Sequence, residues 1–116
     1  MLLNLSNHPS ETWPKIQTDI AIKIFQQILD LPFPPIPPNI NSDELDLLVD
    51  EYEKKVTREG PTAIHIMGEL SFTHRLVNRL NGLGYRCIVS TTERIVTTDG
   101  TGNKTSTFKF VQFRDY

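Results

Sequence analysis

Apolar positions along the chain fall into short runs separated by polar turns and amphipathic stretches. Leu2 to Leu5 reads as a short buried strand, and the polar turn Ser6-Asn7-His8-Pro9-Ser10 follows it. Ile16, Ile20 and Ile24 then recur every four residues, with Trp13 and Ala21 alongside, which predicts a helix from about Thr12 or Trp13 to Gln27. Thr12 is placed to cap it, and Pro14 fits a first turn whose N–H groups have no partners. Ile28 to Leu31 reads as a second strand.

Five prolines in the seven residues Pro32 to Pro38 cannot supply ladder N–H groups. The segment is read as a stiff connector over the sheet edge, with Phe33 and Ile36 packing inward. Recognition by a partner's aromatic groove is the other use of such a run. Asn41 with Glu44 three residues on is akin to a capping box and starts a second helix. Its apolar face is Leu45, Leu48, Val49, Tyr52 and Val56; Asp46, Asp50, Glu53 and Lys54 lie opposite and read as a solvated face. That helix stops near Gly60-Pro61.

Thr62 to Met67 is nearly continuous in apolar character, as expected of a parallel strand covered on both faces. A turn at Gly68-Glu69-Leu70-Ser71 leads into a third amphipathic helix carrying Phe72, Leu76, Val77 and Leu80, with Ser71 as its cap and Gly82 or Gly84 as its stop. Arg86 to Ser90 is the fourth parallel strand. Arg94 to Thr98, then Asp99-Gly100-Thr101-Gly102-Asn103, then Lys104 to Phe113 read as a hairpin. Strict alternation in its second arm puts Phe108 and Phe110 on one face, and Lys109, Val111 and Phe113 on the other. Strands alternating with helices imply right-handed βαβ units. The expectation is an α/β fold: a single Rossmann-like domain over residues 1–116, with a mainly parallel sheet of order 2-1-3-4 and helices on both faces. Residues 92–116 extend it as a C-terminal antiparallel hairpin.

Composition narrows the partners. Twelve basic and 14 acidic residues give a net charge of −2, against a broad electrostatic surface for duplex nucleic acid. One cysteine, Cys87, excludes an internal disulfide, and its apolar surroundings read as those of a buried inert thiol. No apolar run is long enough to span a bilayer and no signal segment is evident, so the chain reads as soluble and cytoplasmic, without a membrane partner. There is no G-x-G-x-x-G after the first strand, no phosphate-cradling lysine loop, no zinc-site spacing and no G-x-S-x-G elbow.

In an open parallel sheet, ligands bind outside the carboxyl ends of the strands. Three clusters are expected on that rim: Ser6-Asn7-His8, Gly68-Glu69-Leu70-Ser71, and Ser90-Thr91-Thr92-Glu93-Arg94. Their chemistry suits phosphate. Helix N–H groups favour an anion, Gly68 would allow close approach, and Ser6, Ser71, Thr73, Thr91 and Thr92 are small donors. Arg94 supplies a guanidinium matched to phosphate oxygens. His8 is the one histidine placed on the rim, as a proton-transfer group or a turn residue. Glu69 is an acid/base or a carboxylate that orients Arg94. His65 reads as a satisfied core histidine and His74 as an exposed one. Ordinary turn chemistry explains the same residues without a ligand.

The stretches LLNLSNHPS, AIHIMGELSFTHRLVNRL and CIVSTTER resemble the small CRISPR-associated ring nuclease families and, more broadly, CRISPR-associated Rossmann-fold sensor domains. They span residues 2 to 94, about four fifths of the chain. The proline-rich segment and the aromatic hairpin have no match in that pattern. The resemblance implies a two-fold homodimer that binds cyclic oligoadenylate, often the four-membered ring, across its interface, and a phosphodiesterase activity that ends type III CRISPR signalling. It implies no metal or cofactor: a ribose 2′-hydroxyl is held in line with its own phosphodiester and leaves a 2′,3′-cyclic phosphate. On that reading Arg94, Thr92 and Ser6 hold phosphate, the Gly68–Ser71 turn gives backbone contacts, and His8 moves a proton. A non-catalytic sensor of the same ring and a structural or interaction subunit are the other two readings.

Overall fold

The computed structural model describes residues 1–116. In chain order the elements are β1 (Leu2–Ser6), a 3-10 turn (Ser10–Thr12), α1 (Lys15–Phe25), β2 (Ile28–Asp30), α2 (Ser42–Glu59), β3 (Ala63–Met67), α3 (Leu70–Gly82), β4 (Arg86–Thr98) and β5 (Lys104–Asp115). One five-stranded sheet has the order β2-β1-β3-β4-β5. Its first four strands are parallel and β5 returns antiparallel to β4, as the pattern predicts.

Alternation along the strands divides the core in two. Leu3, Leu5, Ile64, Ile66 and Cys87 face α2 and α3, where they meet Leu45, Val49, Tyr52, Val56, Phe72, Leu76 and Leu80. Leu2, Ala63 and Ile88 face the other way, toward Trp13, Ala21 and Phe25. Helices therefore cover both faces. Asn41 caps α2 by accepting from the Glu44 N–H at 2.8 Å, and Gly60 ends it in the left-handed region at φ 58°. The acidic face of α2 is not merely solvated. Asp46 pairs with Arg75, and Asp50 and Glu53 with Arg79, which joins α2 to α3. Burial pushes the Cys87 thiol up to about 11, in keeping with an inert packing role.

Three expectations are corrected. The helix α1 starts at Lys15 behind Pro14 and buries Gln17, Ala21 and Phe25, leaving Ile16 and Ile24 about half exposed. The 3-10 turn and the large ring of Phe25 set its phase; the isoleucine stripe is turned outward. Second, β4 does not stop at Ser90. Its β-branched continuation Ile95-Val96-Thr97-Thr98 pairs with β5 out to Thr98↔Lys104. Third, strict alternation fails in β5. Thr91 pairs with Gln112, but Thr92 pairs with Phe110, so Val111 is an extra residue in a bulge. The bulge moves Phe113, opposite Ser90, onto the same face as Phe110 and Phe108.

The proline-rich connector carries Phe33 and Ile36 against the α2–α3 side of the core, as expected. Phe33 stacks edge-on to Phe72, with centroids 5.2 Å apart. A Cβ on Gly68 would overlap the Phe33 ring, so Gly68 is required by this packing. Gly68→Ala is expected to destabilise the fold by about 1–3 kcal/mol, the range for overpacking. Combined with Phe33→Ala, the cost should be well below the sum of the single changes. Chemical denaturation of the three variants checks this, and additive losses would show that the two positions do not conflict.

Candidate functional site

Two strands that bury almost every side chain each contain one strongly polar residue. Asn4 in β1 and His65 in β3 are both 1% exposed, and they are register partners. Such groups are costly to bury unless every hydrogen-bonding atom is met. The Asn4 amide donates to Asp30 Oδ1 at 2.8 Å and to the His8 carbonyl at 2.9 Å. Its oxygen accepts from Ser6 Oγ at 2.9 Å and lies 2.9 Å from His65 Nδ1. The other ring nitrogen, Nε2, is 3.1 Å from Ser90 Oγ. One polar chain thus crosses the sheet, from Asp30 on β2 through Asn4 and His65 to Ser90 on β4.

The Ser6–Ser10 turn is built onto this chain. The His8 carbonyl also receives the Trp13 indole N–H at 2.9 Å, and the His8 N–H donates to Ser6 Oγ at 3.2 Å. Ser10 donates to both Asp30 oxygens, through N–H at 3.1 Å and Oγ at 2.7 Å. Burial opposes ionisation of Asp30, but the hydrogen bonds from Asn4 and Ser10 outweigh it and hold its pKa below the usual carboxylate value. His65 is pushed down to about 4, first by burial and then by the nearby His8. Its ring is therefore neutral at pH 7.

Above His65 and Ser90 opens a cleft of about 390 Å³. Trp13 and Gln17 from the α1 side, His8 from the turn, and Thr92, Phe108 and Phe110 from the hairpin line it. Trp13, His65, Phe113 and Phe110 form a chain of ring contacts with centroids 5.1–6.1 Å apart. No Lys, Arg, Asp or Glu lines the cleft.

Of the residues expected on the rim, only His8 and Thr92 from the proposed set meet here. Ser6 and Asn7 line a separate hollow of about 290 Å³ beside Asp30 and Phe33. Gly68 and Thr73 line a groove of about 600 Å³ with Leu70, His74 and Tyr116. Thr91 points to the opposite face of the ribbon from Thr92, and its hydroxyl donates to the Gln112 carbonyl. Arg94 shares the cleft's face two residue pairs beyond Thr92, opposite Phe108, and donates to Ser106 Oγ at 3.0 Å.

The third-helix turn differs most from expectation. Glu69, not Ser71, caps α3: its carboxylate accepts from the N–H groups of Ser71 at 3.0 Å and Phe72 at 2.8 Å, and from the Ser71 hydroxyl. These bonds, those from Ser71 first, lower its pKa. The anion at this helix N-terminus is therefore the protein's own, and Glu69 is engaged with α3 and not with Arg94.

Sequence reasoning passes over Asn4, Trp13, Gln17 and His65 as site residues, and places Ser90 on the rim without a role. A usable signal was present: one polar residue interrupts each of the buried runs LLNLS and AIHIM. No group of three His, Cys, Asp or Glu side chains is placed to hold a metal ion. No helix is long and apolar enough to cross a membrane.

The chain belongs to the uncharacterized protein MJ1673 family, whose model matches residues 1–114. No curated protein matches the sequence.

The depressed His65 pKa ties stability to pH. An unfolded histidine binds its proton near pH 6.5, whereas the folded one does so only near 4, so the unfolded state holds more protons between those values. Stability from this group is complete above pH 6.5 and is lost as pH falls toward 4, by up to about 3 kcal/mol. Urea unfolding at pH 7.5, 5.5 and 4.5 should show this decline in the parent and a flatter profile in a folded His65→Gln variant; equal slopes would remove His65 as the cause.

Proposed function

We propose that the chain binds cyclic oligoadenylate, with cyclic tetra-adenylate as the first candidate, and opens it by a metal-independent phosphodiester cleavage that ends type III CRISPR signalling. The observation that carries this reading is the cleft itself. Aromatic side chains wall it, and His8, His65, Ser90 and Thr92 supply imidazoles and hydroxyls on one face. Aromatic rings suit adenine, because base stacking needs only a π-face.

In the proposed step a ribose 2′-oxygen attacks the adjacent phosphorus and the bond to the 5′-oxygen breaks. The 2′-hydroxyl proton goes to a base and the departing oxygen takes up a proton, so a 2′,3′-cyclic phosphate and a free 5′-hydroxyl result. His8, exposed at the cleft, is the proton-transfer group. Thr92 donates to phosphate. Arg94 meets a second phosphate just outside the cleft, on the same face of the ribbon. Glu69, expected as an acid/base, and Ser6, Asn7, Gly68, Ser71, Thr73 and Thr91, expected as contacts, do not line this cleft. A symmetric ring larger than one cleft is held most simply by two copies related by a two-fold axis.

Two other readings keep their own outcomes. A sensor binds the ring and releases it intact. An interaction subunit binds no nucleotide and works through the proline-rich segment Pro32 to Pro38 and the phenylalanine hairpin, where Phe108 is exposed.

Incubation with cyclic tetra-adenylate in EDTA, followed by chromatography, is expected to yield linear product ending in a 2′,3′-cyclic phosphate. Intact ring with measurable binding would favour the sensor, and absence of both would reject a nucleotide ligand. Arg94→Ala should weaken binding by about 1.5–3 kcal/mol, the scale of a charge-assisted hydrogen bond. His8→Ala should slow cleavage roughly 10²–10⁴-fold with affinity within a few-fold, because proton transfer contributes in the transition state. Sedimentation should give a dimer at micromolar concentration; a monomer with and without the ring would remove the two-fold arrangement.

A further inference from the structure

The polar chain across the sheet fixes where each proton sits. Asp30 Oδ1 and the His8 carbonyl can only accept, so the NH2 group of Asn4 must face them. The Asn4 oxygen therefore faces Ser6 and His65. A carbonyl oxygen accepts only, so His65 carries its proton on Nδ1. In the neutral ring Nε2 is then a bare lone pair, 3.1 Å from Ser90 Oγ, and the Ser90 hydroxyl donates to it. Met67 Sδ, 2.9 Å from the same hydroxyl, is the weaker acceptor. Ser90 thus rests its one proton on an imidazole whose far side is held by an amide, which is itself held by a carboxylate.

That order of groups is the one that activates a serine: a hydroxyl, a base within hydrogen-bond reach, and a third group that orients the base. A second observation points to a ligand. Gln17 is 6% exposed and brings a side-chain amide to the lining of the same cleft. Side-chain amides donate to oxyanions in such positions.

We propose that Ser90 is a nucleophile with His65 as its base and Asn4 as its positioning residue, and that the cleft accepts an uncharged carboxylic ester. The ester class follows from the nucleophile, since a serine hydroxyl forms an acyl-serine from an ester carbonyl, and the aromatic walls suit an apolar acyl or alcohol group. Ser90 Oγ bonds to the ester carbon while its proton passes to His65 Nε2 and the carbonyl electrons move onto oxygen. Gln17 donates to that oxygen. Collapse breaks the bond to the alcohol oxygen, which leaves with the proton from Nε2. Water then repeats the sequence on the acyl-serine, so that ester and water become acid and alcohol. This chemistry does not depend on the nucleotide reading, and its test contains no nucleotide.

The test uses the full chain with an alkyl fluorophosphonate, which leaves a phosphonyl group on an activated serine and releases hydrogen fluoride. Peptide mass spectrometry is expected to find one adduct, on the peptide holding Ser90, and none in Ser90→Ala. Labelling in His65→Gln should be slower by roughly 10²-fold or more, and hydrolysis of p-nitrophenyl acetate should fall with it. In the unmodified chain at pH 7, ¹⁵N spectra should show His65 protonated on Nδ1. That readout stands even if His65→Gln fails to fold. No adduct on Ser90, an adduct formed equally fast without His65, or a proton found on Nε2 would each overturn the proposal.

Discussion

The Asn4 side chain is the constraint on which the carboxyl half of the sheet depends. It lies in a strand whose five residues are all buried, and it uses both donors and both acceptor sites of its amide. An amide buried without partners costs several kcal/mol, so this position is tolerable only if β2, the Ser6–Ser10 turn and β3 are all in place around it. It also specifies register. Sliding β3 by one residue would turn His65 to the opposite face of the sheet and bring an apolar side chain beneath the Asn4 oxygen. The polar chain thus selects one alignment of strands among several that apolar packing alone would accept.

A second device, the bulge at Val111, decides what stands above that chain. Without the extra residue, Phe113 would follow strict alternation and point away from Phe110. With it, Phe113 lies opposite Ser90 and packs against both Trp13 and His65. The rings exclude water from the imidazole, and the depressed His65 pKa follows from that burial. Hairpin and polar chain are therefore coupled: the ribbon supplies the cover that keeps the histidine neutral, and the strands beneath supply its partners. The Tyr116 hydroxyl, bonded to the Ile66 carbonyl, holds the end of the ribbon on the same body.

Strand order, the α2 cap and the inward packing of Phe33 were legible in the sequence because each rests on local chemistry or on a run long enough to carry a period. The phase of α1 was not. Its isoleucines repeat every four residues, yet Gln17, Ala21 and Phe25 are the residues it buries, and that choice depends on a sheet face remote in sequence. The extent of β4 was hidden because a parallel strand and an antiparallel arm are one continuous element, with no turn residue at Ser90 to separate them. The Glu69 cap was missed because serine is the commoner capping residue and stands two positions away. His65 was read as a satisfied core residue, which its hydrogen bonds bear out, but its place on the floor of a cleft required the register of three strands and the bulge.

The placement of charge around the cleft separates two kinds of work. Two ionised groups lie behind the cleft and beside it: Asp30 at the far end of the polar chain, and Arg94 beyond Thr92 on the ribbon. Between them the lining is neutral, and hydrogen bonds there act in a medium of low effective dielectric, where a fixed donor or acceptor counts for more than in water. The carboxylate of Asp30 needs no contact with a ligand to influence it, because it fixes the Asn4 amide, and the amide fixes the imidazole proton. The direction of the whole chain, from Asp30 to Ser90, is set by two groups that can only accept, the Asp30 carboxylate and the His8 carbonyl. A neutral amide in place of Asp30 would leave the His8 carbonyl facing the Asn4 NH2 group, so the backbone alone would still hold the order of protons as far as Ser90.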